Sequence, residues 1–267
     1  MRDKCLACNQ INCLIYFNEK DKILSCNECG AIQLEHEMKN DRFNIEYTTE
    51  PSFFERFVNR MTYVKISEIP ADAYIQYLKS KTDMNFKNVL DVGAKFGVFV
   101  DKLNKMGINA YGIEALQEYV KLAVTKKIKC AYFDKNSDLE TKYDLICLTQ
   151  MIYYIRDNYA LFDHVKNMLT ANGLIFVSTV NPLSSLLHEF LLPQAANMIL
   201  SRKNFESLHE KLRLELIDYT TYSTNHYFDV VKSKYKKITA LKYYLKLRES
   251  YTLDPNGNEA FLLLKPS

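Results

Sequence analysis

The segment Val89-Leu-Asp-Val-Gly-Ala-Lys-Phe-Gly97, followed by a helical pattern and then Ala110-Tyr-Gly-Ile-Glu-Ala115, constrains this chain more than any other stretch. An apolar strand runs into an acidic residue and a glycine turn, a helix follows from Val98 to Met106, and a second strand ends at Glu114. That order makes a βαβ unit, whose parallel strands must be covered by helices on both faces. The alternation continues. Strands are expected at Ile128 to Ala131, Tyr143 to Leu148 and Leu174 to Val180, with helices at Gln117 to Thr125 and about Asp157 to Thr170. Beyond them come a helix opening on Asn181-Pro182 with Leu183, Leu186, Leu187, Phe190 and Leu191 on one stripe, and a helix from Lys203 to Leu212. A strand from Leu214 to Tyr219, an amphipathic helix from Phe228 to Arg248 and a last strand from Ala260 to Leu264 complete the pattern. The expected class is α/β, a mostly parallel sheet with its ligand at the carboxyl edge.

Within that unit, Glu114 lies 23 residues after Asp91, close to the roughly 20 that place a carboxylate on ribose hydroxyls. Gly93 lets the backbone approach a ligand, and Gly97 lets the helix start pack closely on the strand. A nicotinamide dinucleotide site needs three glycines as GxGxxG, and Gly93 to Gly97 has a different spacing.

A second feature stands ahead of the sheet. Five of the seven cysteines fall in the first 29 residues, four of them as Cys5-Leu-Ala-Cys8 and Cys26-Asn-Glu-Cys29, two CxxC knuckles separated by seventeen residues. Each knuckle offers two thiolates from one turn, and two knuckles close a four-sulfur tetrahedron around Zn2+ at about 2.3 Å per bond. The strand-like stretches Leu14 to Phe17 and Ile23-Leu24 flank a polar turn, so residues 1–38 read as a zinc ribbon. A unit of that size lacks a sufficient core, and bound metal supplies folding free energy. A closed site leaves no open position for a substrate, which makes the zinc structural. Cys13 is a fifth thiol here, with a place as a spare ligand or, beside Leu14 and Ile15, in simple burial. Cys130 and Cys147 fall in expected strands and read as buried. Residues 39–87 are aromatic and charged, with Phe53, Phe57 and Met61 four apart and Tyr74, Tyr77 and Leu78 on one side of Ala71 to Lys81; two helices capping the sheet domain, residues 88–267, are expected.

The first motif resembles that of the class I S-adenosylmethionine-dependent methyltransferases, whose apolar strand, acidic residue and apolar residue precede GxGxG; Lys95 replaces the middle glycine. The resemblance extends over roughly residues 40–265. Lys142-Tyr-Asp-Leu-Ile-Cys-Leu-Thr-Gln-Met-Ile-Tyr-Tyr-Ile155 is similar to the family's fourth strand, with Asp144 at its aspartate and Tyr153-Tyr154 where Glu-His is frequent. Leu161 to Pro182 is similar to its helix, turn and fifth strand, with Asn172-Gly173 in place of Pro-Gly-Gly. The resemblance implies a Rossmann-like sheet of seven strands and S-adenosylmethionine as methyl donor. It places Asp91, Gly93, Ala94, Lys95, Gly97, Glu114 and Ala115 at the donor, Asp134 at the adenine amine, and Gln150 at the strand end beside it.

Methyl transfer from a sulfonium is an in-line displacement, and a hydroxyl acceptor also needs a base. Tyr154, at the family's frequent histidine position, and His188, following the fifth strand, are the two candidate catalytic side chains; His164 and His209 read as solvated helix residues. Zinc ribbons ahead of this fold resemble sugar methyltransferases acting on nucleotide-linked deoxysugars of bacterial surface glycans or antibiotics. The expected acceptor is therefore a small polar molecule, a nucleotide-linked sugar or phosphorylated glycan precursor, with O-methylation favoured. Lys232, Lys234, Lys236, Lys237, Lys242 and Lys246 would suit an anion or make a solvated helix face. An RNA methyltransferase docking through the ribbon is the alternative. A net charge of +3, with Lys20 and Lys22 set against Glu19, Asp21 and Glu28 in the ribbon, speaks against nucleic acid. A non-catalytic binding module follows if Lys95 abolishes donor affinity. With no apolar run of the roughly 18 residues a membrane span takes and no apolar leader, the expected location is the cytoplasm, where clustered thiols point to metal before disulfides.

Overall fold

The computed structural model describes residues 4–18, 23–34, 53–131, 133, 141–155, 157–184, 198–223 and 251–267. Three short strands open the chain, β1 (Leu14–Asn18), β2 (Ile23–Cys26) and β3 (Ile32–Leu34). After α1 (Phe53–Lys81) come β4 (Asn88–Val92), α2 (Val98–Lys105), β5 (Asn109–Glu114), α3 (Gln117–Lys121), β6 (Ile128–Cys130) and β7 (Tyr143–Thr149). A 3-10 turn at Ile152–Tyr154 leads into α4 (Asn158–Asn167), β8 (Leu169–Val180) and β9 (Met198–Ile199). The rest is α5 (Arg202–Glu206), α6 (Leu208–Leu212), β10 (Leu214–Ser223), β11 (Thr252–Leu253) and β12 (Glu259–Pro266).

The main sheet runs β11-β10-β12-β8-β7-β4-β5-β6. The five strands from β6 to β8 are parallel, and β12 is antiparallel to both β8 and β10. Seven strands were expected and the described residues make eight, because β10 continues to Ser223 and its far end pairs with the two residues of β11. The βαβ order puts β4 at the centre of the five parallel strands, with β5 on one side and β7 on the other. The chain therefore reverses direction across the sheet beside β4, and a crevice opens where the carboxyl ends of β4 and β7 diverge to opposite sides. Asp144 anchors the opposite edge. Its carboxylate accepts from the Lys87 and Asn88 amides at 2.8 and 3.0 Å and from Thr170 Oγ1 at 3.1 Å. Partial burial opposes its ionisation, but these hydrogen bonds prevail and hold the carboxyl below its ordinary range. Asp144→Ala should cost roughly 1.5–3 kcal/mol in urea unfolding. Because the folded pKa is depressed, that contribution is present at neutral pH and disappears as pH falls through the depressed value.

Two helices were expected between residues 51 and 81; a single helix of 29 residues runs through Pro70. The described side chains of its second half, Ala71 to Leu78, form a layer of the sheet's own core. Tyr74 packs edge-on against Phe99, Phe176 and Phe261 at 5.6, 5.4 and 5.1 Å, which brings α2, β8 and β12 onto one aromatic centre. Tyr77 Oη and Lys81 Nζ both donate to Asp218 at 2.7 Å and fasten the helix to β10. These contacts carry the helix across the proline, whose missing N–H and ring clash would otherwise favour a break.

Other boundaries moved for local reasons. The expected helix Lys203 to Leu212 divides at Ser207 into α5 and α6, with Ser201 and Asn204 forming a reciprocal cap at the start of α5. The expected turn at Asn172-Gly173 lies inside β8, in a bulge where Tyr143 pairs with Leu169 and Leu145 with Leu174. The cysteine segment makes a four-stranded sheet β1-β2-β3-β9, so its last strand comes from the far side of β8.

Candidate functional site

The donor turn begins where β4 ends. The Gly93 and Ala94 amides donate to the Ile113 carbonyl at 2.8 and 3.0 Å, and Gly97 N donates to Ala94 O at 2.8 Å, folding residues 93–97 back over the end of β5. Gly93, Lys95 and Gly97 all have positive φ, at 80°, 51° and 70°. Lys95 thus adopts the conformation for which a glycine would be preferred. Glu114 stabilises it: one carboxylate oxygen accepts from Lys95 N and the other from Leu116 N, each at 2.9 Å. The Lys95 side chain is exposed, its ammonium 6.0 Å from the Tyr119 ring. Lys95→Gly should leave the turn intact and raise stability by up to about 1 kcal/mol in thermal unfolding, since the left-handed region costs a residue with a Cβ about that much. Gly97 tolerates no such change, because a Cβ there would meet Ile128 Cγ1 at 2.8 Å and Thr125 Cγ2 at 3.0 Å.

Asp91 is 2% exposed and its carboxylate accepts from Thr149 Oγ1, at the end of β7, at 3.2 Å. Burial pushes its pKa up to about 7; the Thr149 hydrogen bond works against this, and the nearby Glu114 charge adds to it. Asp91, Gly93, Ala94, Lys95, Gly97, Glu114 and Ala115 are therefore gathered at one carboxyl edge, beside the end of β7. Asp134 and His188 lie outside the described residues, as do the six lysines expected on one helix.

Past β7 the chain turns sharply. Gln150 has φ 52°, its amide donates to Ser178 O at 2.8 Å, and its Nε2 donates to Ser178 Oγ at 2.8 Å and to Glu259 Oε2 at 3.1 Å. Tyr153 and Tyr154 follow on the 3-10 turn, both half-buried, with ring centroids 4.4 Å apart. Tyr153 packs against Ile23, Ile32, Val180 and Ile199, where the cysteine sheet meets the end of β8. Glu259, Ser178 and Met151 were not found from the sequence. The available signal was Glu259 itself, an acidic residue opening an apolar strand directly after a turn.

The four knuckle cysteines converge. Their sulfurs all lie within 4.8 Å of one another, with Cys5 to Cys29 at 3.8 Å and Cys8 to Cys26 at 3.7 Å. A tetrahedron with bonds of about 2.3 Å has edges of about 3.8 Å. Cys13 does not belong to that mutual set, but it abuts it: its sulfur is 3.3 Å from Cys26 Sγ, and its own thiol donates to Gln10 O at 3.3 Å. Cys147 is buried as expected, but Cys130 is exposed, because β6 is the last strand of the sheet. His209 is exposed, whereas His164 is half-buried with its ring 5.3 Å from Phe133. The knuckles are held to the main domain by Tyr159 Oη on the Ala7 carbonyl at 2.6 Å, Lys203 on the Glu28 carbonyl at 3.3 Å, and Ser201 Oγ on the Cys29 carbonyl.

Residues 65–225, more than half of the chain, match the family model described as a methyltransferase domain. Among curated relatives, the ubiquinone biosynthesis O-methyltransferase of Xylella fastidiosa (strain M23) is 26% identical over 117 residues, 40% of this chain and 47% of that protein. The enzyme of the same name from Hydrogenovibrio crunogenus is 25% identical over 136 residues, 47% of this chain and 56% of that protein. The chain thus spans about half the length of the curated relatives it matches. Among solved structures, a SAM-dependent methyltransferase from Thermotoga maritima, titled a possible histamine N-methyltransferase, superposes with a TM-score of 0.54 at 17% identity, covering 80% of this chain and 98% of that one. One from Archaeoglobus fulgidus gives a TM-score of 0.51 at 15% identity, covering 79% and 97%. These likenesses show the Rossmann-like fold, and the family match with the glycine turn at its carboxyl edge shows the rest: the chain belongs to the S-adenosylmethionine-dependent methyltransferases.

Proposed function

We propose that this chain methylates a hydroxyl of a small polar acceptor, with the donor held on the turn from Asp91 to Ala115. The observation that carries the reading is the Glu114 carboxylate: it fixes the left-handed Lys95 amide and the Leu116 amide, and retains acceptor capacity for two ribose hydroxyls. Donor binding is thereby compatible with Lys95 in the place of the glycine, and the non-catalytic alternative loses its premise. S-adenosylmethionine, when bound, supplies an electrophilic methyl group. The chain's share is alignment: Gly93 gives close backbone approach, Asp91 and Thr149 fix the end of β7 beside it, and Gln150 with Tyr154 borders the acceptor side.

Oxygen as the acceptor atom is supported by the relatives, whose names specify O-methylation, at low identity and over half their length. For the acceptor skeleton, nucleotide-linked sugars are the class suggested by a cysteine module ahead of this fold, and ubiquinone precursors the class suggested by the relatives' names. Incubation with methyl-labelled S-adenosylmethionine and separate pools of nucleotide sugars, phenolic quinone precursors and RNA decides between them. Label in a small-molecule pool is expected, and label confined to RNA would overturn the proposal.

The four cysteines are assigned to structural zinc, because their spacing matches the edges of a sulfur tetrahedron and all four positions are filled by protein. None of the helices among the described residues is long and apolar enough to cross a membrane, and a cytoplasmic location is part of the same proposal.

A further inference from the structure

Glu259 is a buried carboxylate at the same sheet edge for which the donor turn has no use. It opens β12, in register with Val180 at the end of β8 and with Tyr222 on β10. Because β12 is antiparallel to β8, its first residue lies at the edge where the parallel strands end. A short run of contacts links it to the glycine turn. A Cβ on Gly93 would lie 3.3 Å from Met151 Cβ, Met151 follows Gln150, and Gln150 Nε2 donates to Glu259 Oε2 at 3.1 Å. Tyr251 Oη is 3.4 Å from both carboxylate oxygens.

Only 7% of Glu259 is exposed, and among the described residues no cation pairs with it. The titratable groups around it are tyrosines: Tyr251 before β12, Tyr222 on β10, and Tyr74 of α1, which accepts a hydrogen bond from Ser178 Oγ at 3.0 Å. A carboxylate placed in a core without a cation is costly, and the hydrogen bonds from Gln150 and Tyr251 offset only part of that cost.

We propose that Glu259 is the catalytic base that takes the proton of the acceptor hydroxyl, with Gln150 orienting its carboxylate. The inference rests on the O-methyltransferase reading. As the acceptor oxygen forms its bond to the methyl carbon, the carbon–sulfur bond breaks with its electron pair staying on sulfur. The O–H proton passes to Glu259, leaving a neutral carboxyl, a methyl ether and a neutral thioether. Burial pushes Glu259 up to about 7, against the opposing hydrogen bonds from Tyr251 and Gln150, which suits proton transfer near neutrality.

The test needs no knowledge of the acceptor. Sinefungin carries an ammonium on the carbon that replaces the sulfonium centre, so its charge projects where the methyl would depart; S-adenosylhomocysteine has no charge there. Calorimetry on the zinc-loaded full chain should show that wild type prefers sinefungin over S-adenosylhomocysteine at pH 8. In Glu259→Gln that preference should fall about tenfold with S-adenosylhomocysteine affinity unchanged. In wild type the preference should fall as pH drops through about 7, as Asp91 and Glu259 take up protons; the Asp91→Asn variant, measured in parallel, should still show the pH-dependent part due to Glu259. An unchanged preference in Glu259→Gln, or a preference in Asp91→Asn that no longer depends on pH, would overturn the assignment of Glu259. Failure of wild type to bind either nucleoside would instead overturn the donor-site reading, and this inference with it.

Discussion

Replacing Glu114 with alanine is expected to weaken S-adenosylmethionine binding by at least about a hundredfold in calorimetric titration, with the fold retained by circular dichroism. The size follows from two losses that act together. The ribose hydroxyls lose a charged hydrogen-bond acceptor, at roughly 1.5–3 kcal/mol per bond. The Lys95 and Leu116 amides lose the carboxylate that holds the turn in place. Glu114→Gln should fall between alanine and wild type, since its single carbonyl oxygen can serve one of the two amides. Donor affinity unaffected by either substitution would show that the ribose lies elsewhere.

The second large effect concerns the proposed zinc. Cys26→Ser should abolish zinc retention by mass spectrometry and make residues 5–34 sensitive to protease, since structural zinc supplies on the order of 10 kcal/mol to small cysteine modules. The consequence should reach the acceptor side before the donor side. The cysteine sheet is completed by β9, and its Ile23 and Ile32 pack with Ile199 against Val180 and Tyr153, at the ends of β8 and β7. S-adenosylmethionine affinity in Cys26→Ser should stay within about threefold of wild type while turnover falls at least tenfold, an estimate that assigns roughly 1.4 kcal/mol to the displaced contacts. Unchanged metal content would remove Cys26 from the ligand set, and a parallel loss of donor affinity would show that the module supports the whole domain.

The parts of this molecule that were legible in the sequence are those governed by short-range chemistry. The β4 to β5 unit could be read because Asp91, the two glycines and Glu114 are placed by one local turn, and the cysteine pairs because two knuckles already specify a tetrahedron. Long-range partners were not legible. Met198-Ile199 contains nothing that announces a strand of the cysteine sheet, and a helix running through Pro70 depends on Asp218, more than a hundred residues away. Glu259 was overlooked for the same reason. Its role depends on an antiparallel strand that brings it beside Gln150, 109 positions earlier in the chain. Cys130 reads as buried because a strand in a parallel sheet normally is, and it is exposed because β6 is an edge.

The most direct measurement of the central claim is amide chemical-shift mapping of the deuterated, zinc-loaded chain during titration with S-adenosylmethionine. The largest shifts are expected at residues 93–97, 114–116 and 149–151, with Cys5 to Cys29 little changed. Saturable binding whose shifts avoid the turn from Gly93 to Gly97, or no shifts at all at millimolar donor, would contradict it.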